Sequence, residues 1–434
     1  MDTLRTGIHI FQPDTWNILT LGEEWSPNSW LWNVLLGVAY QLFGNYGFLL
    51  LTLVTNVAAY GFLWGYLQKL RMPPLAAFAV LIGCWFIMNQ FMNGRSNTAD
   101  FLILTLFLYL CGQFLHKRII LLITAFLLTV LWMNLHMTGV AAVIVFPAAV
   151  YAMMHTENIR KRLLQTTFVL LSALLALPLT PYGVEGLIKV SLVQNESKGL
   201  IREWSNVFSS PGDNTGILFL LAGSLIAGFF IFKQRQLLYG ILTVTLIYGT
   251  YDTIRLTPFL LTVVLASLVF WEGRTYQLHP RLKSLPVSVF ALLVIATIAM
   301  SVISVMSLSR VVVDDESMFY VTSSELSLIP ENARAAVSQD AGSAIILYRP
   351  DVLVTLDGRN DLIGMERFIE ASNILYSDDS AEVGAWLDEH DINAVFVEDS
   401  STTGAAVIES NMEALGWDVR TNGTDAAVYV KRMD

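Results

Sequence analysis

The chain has 434 residues, of which 54% are hydrophobic and only 14% are charged, and its mean hydropathy is +0.56. A soluble protein carries roughly 25% charged residues, so this composition excludes one large soluble domain and a disordered chain. The net charge of −10 argues against nucleic-acid binding, which needs a basic face. Two cysteines, Cys84 and Cys111, are too few for a disulfide framework or a four-cysteine zinc site.

Charge is distributed unevenly along the chain. Residues 310–434 contain 24 acidic and 8 basic side chains, whereas residues 1–309 contain 12 acidic and 18 basic side chains. Residues 1–309 are apolar, which is typical of a membrane domain. Residues 310–434 are enough to form a soluble domain with its own hydrophobic core. The sequence therefore predicts a polytopic α-helical membrane protein with a C-terminal soluble α/β domain. We expect an outer-face loop with an interfacial helix at 1–46, a transmembrane helical domain at 47–308 and an acidic extracytoplasmic α/β domain at 309–434.

A helix crosses the hydrocarbon core of a bilayer with about 20 apolar residues. Ten stretches fit this length, at 47–68, 75–92, 99–115, 119–135, 137–154, 163–180, 215–232, 236–251, 256–271 and 286–306. Of the 18 basic residues before position 310, 12 fall in alternate connections, at 69–74, 116–118, 155–162, 233–235 and 273–285. Basic residues concentrate in cytoplasmic loops, so residues 1–46 and the C-terminal domain are predicted to lie outside the plasma membrane.

The run Ser29–Phe43 is apolar but short for a span, and it begins with tryptophans. Counting it as a span would reverse the predicted side of every loop. Tryptophans are common in helices that lie in the membrane interface. The sequence predicts such a helix along the outer surface, with a short tilted span as the alternative.

The C-terminal part has the pattern of an α/β domain. Strands are predicted at Ala344–Tyr348, Val352–Leu356, Ala394–Glu398 and Ala426–Lys431, and helices at Ala381–His390 and Gly404–Leu415. The segment Asp357-Gly358-Arg359 follows a predicted strand and has two interpretations. It forms a tight turn with Gly358 at positive φ, or Arg359 and Asp361 contact an acceptor substrate.

Polar and charged residues gather at the predicted outer ends of the helices. Ionisable side chains at membrane depth are costly and usually line a cavity or a substrate path. These candidates are Arg95, Asp100, Asn134, His136, Arg202, Glu203, Trp204, Asp252 and Arg255. Each also has a structural interpretation: arginines at the interface snorkel, Asp252 and Arg255 suit an i,i+3 ion pair, and His136 suits a structural histidine.

Asp14 and Glu24 are the acidic candidates in the first outer segment. A carboxylate beside a bound hydroxyl group serves as a general base, so both are predicted to be catalytic. The structural alternatives are a cap by Asp14 on a short helix at Thr15–Leu19 and a solvated loop around Glu24.

Arginines that face an outer pocket suit a phosphate or diphosphate, which their planar guanidinium groups bind with two parallel hydrogen bonds. Arg255 is the first candidate for this role, assisted by Arg202 or Arg95. With a nearby carboxylate and a groove for a lipid chain, this combination describes glycosyl transfer from a polyprenyl-phosphate sugar. It also describes a lipid or anion transporter, and a non-catalytic membrane scaffold is the third alternative.

An ordered series of short motifs runs through nearly the whole chain. It consists of Gly7, Pro13-Asp14, Glu24-Trp25, Trp30-Leu31, Gly44–Gly47, Asn134-Leu135-His136 with Gly139, Thr180-Pro181-Tyr182-Gly183, Glu203-Trp204-Ser205, Arg255 with Pro258-Phe259, and Asp357-Gly358-Arg359. This series resembles a bacterial branch of the GT-C superfamily of integral membrane glycosyltransferases. Their pattern is an acidic first outer loop with a tryptophan-rich surface helix, followed by N-L-H-G, N-P-Y-G, E-W, R-x-x-P-x-F and D-G-R.

The resemblance implies a GT-C-like fold, an active site on the outer face, a polyprenyl-phosphate-linked sugar as donor and a catalytic acid in the first outer loop, matched here by Asp14. Three departures accompany it. The N-P-Y-G motif reads T-P-Y-G, Met137 replaces the glycine after N-L-H, and the family's first span with its leading acidic residue has no counterpart after Met1. No cofactor is predicted and a divalent metal is left open. The expected partners are the donor and membrane lipids, not nucleic acid.

Overall fold

The computed structural model describes residues 13–25, 27–44, 46–92, 94–186, 188, 206–209, 214–233, 236–271, 321–399, 402–421 and 426–432. The chain divides into two compact units. The helical unit comprises Asn28–Met306, and the α/β unit comprises Met1–Pro27 together with Ser307–Asp434. The predicted domains, an outer-face loop with an interfacial helix at 1–46, a transmembrane helical domain at 47–308 and an extracytoplasmic α/β domain at 309–434, stay predictions.

The described part of the helical unit is built from α-helices. They are α1 (Trp30–Phe43), α2 (Tyr46–Lys69), α3 (Pro74–Met88), α4 (Asn97–Phe114), α5 (Arg118–Leu135), α6 (Ala142–Met153), α7 (Ile159–Ala176), α8 (Thr215–Lys233), α9 (Leu237–Asp252) and α10 (Thr257–Ser267). Two helix starts show the usual start signals: Pro74 occupies the first turn of α3, and the Asn158 side chain accepts a hydrogen bond from the Arg160 N–H at the start of α7.

Nine of the ten predicted spans coincide with helical segments, and the tenth, 286–306, lies outside the described residues. Among the described helices, four are long and apolar enough to cross a membrane: Tyr46–Lys69, Pro74–Phe91, Asn97–Phe114 and Arg118–Leu135. The chain is therefore a membrane protein. The total of about ten spans stays a prediction.

The predicted interfacial segment forms helix α1, which packs against α2 and α5. Its start is anchored by two indole N–H groups: Trp30 donates to the Asn134 side chain at 2.8 Å, and Trp32 donates to the Gly94 carbonyl at 3.0 Å. After its end, the backbone at the start of α2 passes close to α1. A Cβ atom at Gly47 would lie 2.1 Å from the Ala39 carbonyl oxygen, so this approach requires glycine. The helix is confirmed, and its place at a membrane surface stays a prediction.

The α/β unit contains a five-stranded sheet in the order β2-β1-β3-β5-β4. The strands are β1 (Arg334–Ala336), β2 (Leu353–Val354), β3 (Ala394–Val397), β4 (Asp418–Arg420) and β5 (Ala427–Val430), and β5 is antiparallel to both β3 and β4. The parallel pairs, β1 with β2 and β1 with β3, are joined by helical crossovers, as parallel strands require. The helices are α11 (Ser323–Leu326), α12 (Gln339–Tyr348), α13 (Asn360–Ile363), α14 (Met365–Asn373), α15 (Ser380–Glu389) and α16 (Thr403–Ala414).

Three of the four predicted strands and both predicted helices of this unit are confirmed, but the strand at Ala344–Tyr348 is wrong. These residues form the second half of α12, whose first turn is capped by the Ser338 hydroxyl accepting from the Ala341 N–H. A short apolar run fits a buried strand and a buried helix equally well, and the cap decides for the helix.

The N-terminal segment 13–25 is part of the α/β unit, where it extends the sheet beyond β2. Val354 N–H donates to the Trp16 carbonyl at 2.9 Å, and Asn17 forms a parallel bridge to Val354. Ile18 is buried in the same hydrophobic cluster as Leu356 and Ile363. A short 3₁₀ helix follows at Ile18–Thr20 with Asn17 as its cap, in place of the predicted helix at 15–19 capped by Asp14.

Candidate functional site

A buried polar cluster lies at one end of the helical unit, around the Asp100 carboxylate in the first turn of α4. Asp100 accepts hydrogen bonds from the Trp132 indole N–H at 2.7 Å and from the Thr138 hydroxyl at 2.7 Å. The Nδ1 atom of His136 lies 2.9 and 3.0 Å from its two oxygens. Only 2% of Asp100 and 2% of His136 is exposed, so these buried polar groups take one another as hydrogen-bond partners in place of water.

The contact between Arg255 and His136 determines which ring nitrogen carries the proton. The Nη2 atom of Arg255 lies 2.7 Å from His136 Nε2. A guanidinium group only donates, so Nε2 is the acceptor and the histidine is neutral with its proton on Nδ1. That proton points to Asp100, so the carboxylate, the imidazole and the guanidinium form one chain from α4 to the turn before α10. Arg255 itself is partly buried, and it is held in one direction by this chain.

A close backbone approach places His136 and Thr138. Both residues follow α5 directly, in the extended residue and the 3₁₀ helix that connect it to α6. A Cβ atom at Gly139 would lie 2.7 Å from the Met133 nitrogen and 2.9 Å from the Trp132 carbonyl carbon. Only glycine lets this turn fold back onto the end of α5 and bring both side chains to Asp100.

A second polar cluster lies within the α/β unit, around the Arg359 guanidinium. Its nitrogens bond Asp14 at 2.8 and 3.3 Å and Asp357 at 2.9 and 2.7 Å. Asp14 also accepts from the Thr20 hydroxyl and the Trp16 N–H, and Asn17 donates to Asp357 at 3.0 Å. The Asp14 side chain has no exposed surface, so its contacts are those of a structural ion pair.

The two carboxylates favour the charged form of the Arg359 guanidinium. Burial alone would lower the pKa of Arg359, but hydrogen bonds and attraction from Asp357 and then Asp14 raise it above its ordinary value. The rings of Trp16 and Trp25 each lie 5.3 Å from the guanidinium carbon, within the range of a cation–π contact. The predicted positive φ at Gly358 is wrong, since its backbone lies outside the left-handed region and Asp357 instead caps the turn by accepting from the Arg359 N–H.

The other predicted site residues lie in different surroundings. Glu24 is exposed, Arg95 is exposed and Asp252 is partly buried at the end of α9. Asn134 is buried and bridges three segments, accepting from Trp30 and donating to the carbonyls of Val130 and Leu179. Arg202, Glu203 and Trp204 lie outside the described residues.

The structure therefore brings together three of the sequence candidates, Asp100, His136 and Arg255, and adds Thr138, which the sequence did not single out. A carboxylate in the first turn of an otherwise apolar helix was the available signal for Asp100. The described part of the chain contains no group of three or more histidine, cysteine or acidic side chains that could hold a metal ion.

Comparison with known proteins was carried out at the levels of sequence and structure. No protein-family model matches the chain, and no curated protein matches its sequence. One similar solved structure is the oligosaccharyltransferase of Archaeoglobus fulgidus tethered by a disulfide to an acceptor peptide with the NVT sequon, with a TM-score of 0.56 and 12% identity. That similarity covers 94% of this chain and 66% of the oligosaccharyltransferase.

A second is the archaeal oligosaccharyltransferase AglB from Archaeoglobus fulgidus in complex with an inhibitory peptide and a dolichol-phosphate, with a TM-score of 0.55 and 11% identity. That similarity covers 99% of this chain and 69% of AglB. This chain thus spans about two thirds of the length of either structure. At such low identity the similarity establishes the fold alone, which this chain shares with the two oligosaccharyltransferase structures.

Proposed function

We propose that the chain is a membrane glycosyltransferase that moves a sugar from a polyprenyl-phosphate donor to an outer-face acceptor, such as a cell-envelope glycan, a lipid or a protein. The fold supports this reading, because one of the similar oligosaccharyltransferases is in complex with a dolichol-phosphate. Fold alone serves many functions, so the proposal depends on the site. The observation that carries it is the Arg255 guanidinium fixed by a neutral His136, 2.7 Å away.

In this proposal Arg255 binds the donor phosphate. Negative charge builds up on that phosphate as its bond to the sugar breaks. A guanidinium that is already oriented stabilises this charge more in the transition state than in the ground state. His136 orients Arg255 without neutralising it, because an imidazole nitrogen that accepts a hydrogen bond carries no charge. Asp100 in turn orients His136.

Deprotonation of the acceptor hydroxyl needs a carboxylate that substrate can reach. Of the two acids predicted for this role, Glu24 is exposed, whereas Asp14 is enclosed by Arg359, Thr20 and the Trp16 backbone. We therefore favour Glu24 as the base and assign Asp14 to the ion pair with Arg359.

The test is sugar transfer in membranes that carry the whole chain, with a panel of polyprenyl-phosphate sugars as donors. Arg255→Lys keeps the charge but loses the planar fork, so transfer should fall by more than about tenfold. Arg255→Ala should fall by about 10²- to 10³-fold, the usual cost of losing a transition-state donor. The matched control is Arg118→Lys, since Arg118 is exposed and stacks on Phe168 at the opposite end of α5 from His136.

All variants are compared at equal membrane expression. Transfer at the wild-type rate in both Arg255 variants would remove the donor-phosphate role. Glu24→Gln tests the general base. A fall in sugar transfer of about 10²- to 10⁴-fold supports Glu24 in this role, and unchanged transfer excludes Glu24 from it.

A further inference from the structure

Arg162 is a second buried arginine of the helical unit, in the first turn of α7. Only 4% of it is exposed. Its Nε donates to the Tyr151 carbonyl at 2.5 Å, its Nη1 donates to the Gln236 side-chain oxygen at 2.8 Å, and its guanidinium lies 3.5 Å from the centre of the Tyr151 ring. Each of these partners is neutral.

The charge of Arg162 is therefore uncompensated within the described part of the chain, where no carboxylate pairs with it. Its Nη2 is buried and makes no hydrogen bond there, and the same is true of Gln165 Nε2 and Thr166 Oγ1. These three residues stand at positions i, i+3 and i+4 of α7, so they share one face of the helix. All three atoms are able to donate a hydrogen bond, which is the arrangement that a ligand rich in acceptor oxygens needs.

This donor group lies at the opposite end of the helical unit from Arg255. Gln236 immediately precedes α9, and Arg255 follows its last residue, Asp252, by three positions. A helix of this length spans roughly 24 Å, so the two arginines lie at opposite ends of α9.

The surroundings of Arg162 are basic. The connection that precedes α5 contributes His116, Lys117 and Arg118, and the start of α7 contributes Arg160 and Lys161. Glu157 is the one acid in these two connections, and its carboxylate already lies 3.6 Å from Lys161 and 3.9 Å from His116. An anion is therefore attracted to this end of the bundle.

We propose that this end binds the headgroup of an anionic phospholipid, with a phosphate oxygen accepting from Arg162 Nη2 and from Gln165 and Thr166. A phosphate has only acceptors to offer, and a buried cation requires a partner of opposite charge. The acyl chains would run along the apolar face beside it, where Leu163 is 43% and Leu164 is 51% exposed. The partly exposed Gln236 covers the guanidinium and is the side chain that the headgroup displaces.

The experiment uses the whole chain purified in detergent, stripped of lipid and titrated with phosphatidylglycerol or phosphatidylcholine, with bound lipid counted by native mass spectrometry. Wild type should bind phosphatidylglycerol in preference to phosphatidylcholine. Arg162→Gln should weaken phosphatidylglycerol binding at least about fivefold, because the phosphate loses hydrogen bonds from a charged donor. The matched control Arg118→Gln removes an exposed arginine of the same end and should change binding less than twofold.

Equal binding by wild type and Arg162→Gln, or an equal loss in Arg118→Gln, would overturn the proposal, because the basic surface as a whole would then hold the lipid. Displacement of the lipid by millimolar inorganic phosphate would assign the site to free phosphate and overturn the lipid. If Arg162→Gln does not fold, Gln165→Leu combined with Thr166→Val keeps the guanidinium and removes two donors. That variant should also bind more weakly, and wild-type binding by it would overturn the proposal.

Discussion

The Arg359 guanidinium bonds both carboxylate oxygens of Asp14, a residue 345 positions earlier in the chain. Asp14 enters this pair from the N-terminal segment and Arg359 from the turn after β2, so the contact attaches the segment to the sheet. Arg359 also bonds the Asp357 carboxylate, so the three groups together carry a formal charge of −1. Hydrogen-bond donors of Trp16, Thr20 and Asn17 help to stabilise this charge.

The first prediction concerns Asp14→Asn. The amide keeps the size of the side chain but removes a buried charge opposite Arg359, so the α/β unit should lose about 3 kcal/mol of stability. The measurement is thermal unfolding followed by tryptophan fluorescence, since Trp16 and Trp25 flank the guanidinium. Glu24→Gln, at an exposed position, should leave the melting temperature unchanged. A variant Asp14→Asn that melts like wild type but transfers sugar slowly would restore Asp14 as the base.

A second prediction compares two arginines of the same unit. Arg359→Lys should destabilise the fold by about 2 kcal/mol or more, because lysine cannot bridge two buried carboxylates with a planar fork. Arg367→Lys should cost less than about 1 kcal/mol, because the Arg367–Glu23 pair is 41% and 47% exposed. Both changes are read from denaturant midpoints. Equal effects in the two variants would show that burial does not distinguish the pairs.

The third prediction is that Asp100→Asn releases Arg255. An amide N–H facing His136 Nδ1 would shift the ring proton to Nε2, which would then oppose the guanidinium with a donor. The ¹⁵N chemical shifts of His136 report this tautomer directly. Thr138→Val removes one hydrogen bond to the same carboxylate and should leave the proton on Nδ1. An unchanged tautomer in Asp100→Asn would contradict the chain of contacts.

Gly139→Ala is the fourth prediction. The added methyl group would meet the backbone of Trp132 and Met133 at under 3 Å, so the turn after α5 must move at a cost of about 1–3 kcal/mol. The His136 ring should shift with it, and sugar transfer should fall although no reacting group has changed. Gly61→Ala, in α2, has no atom within 4 Å of the added methyl group and serves as the control. Wild-type stability and transfer in Gly139→Ala would show that the turn tolerates the methyl group.

The fifth prediction concerns pH. The Arg349 hydrogen bond lowers the pKa of Asp351 from 3.8 to about 2. A lowered pKa means that the ionised pair stabilises the fold above about pH 4 and that this contribution disappears as the pH falls toward 2. Asp351 is partly exposed, so the contribution should be less than about 1 kcal/mol. The melting-temperature difference between wild type and Asp351→Asn should therefore shrink between pH 4 and pH 2, and a constant difference over that range would contradict the assignment.

The order and positions of the helices could be read from the sequence, because the length of an apolar run is a local property. The same holds for the strands at β2, β3 and β5, whose apolar runs lie between turn residues. The segment Ala344–Tyr348 was assigned wrongly because five apolar residues fit either structure, and the distinguishing cap at Ser338 lies six residues upstream.

The sequence by itself also showed which ionisable side chains lie next to apolar helices, where charge is costly. This pointed to His136 and Arg255 at helix ends. Only the tertiary structure decided their partners. Arg255 meets His136 across 119 positions, and Asp14 meets Arg359 across 345, separations over which no local pattern constrains pairing. A carboxylate serves as a base when it is accessible and as a structural anchor when it is enclosed, so packing rather than residue type is the reason for proposing Asp14 as an anchor.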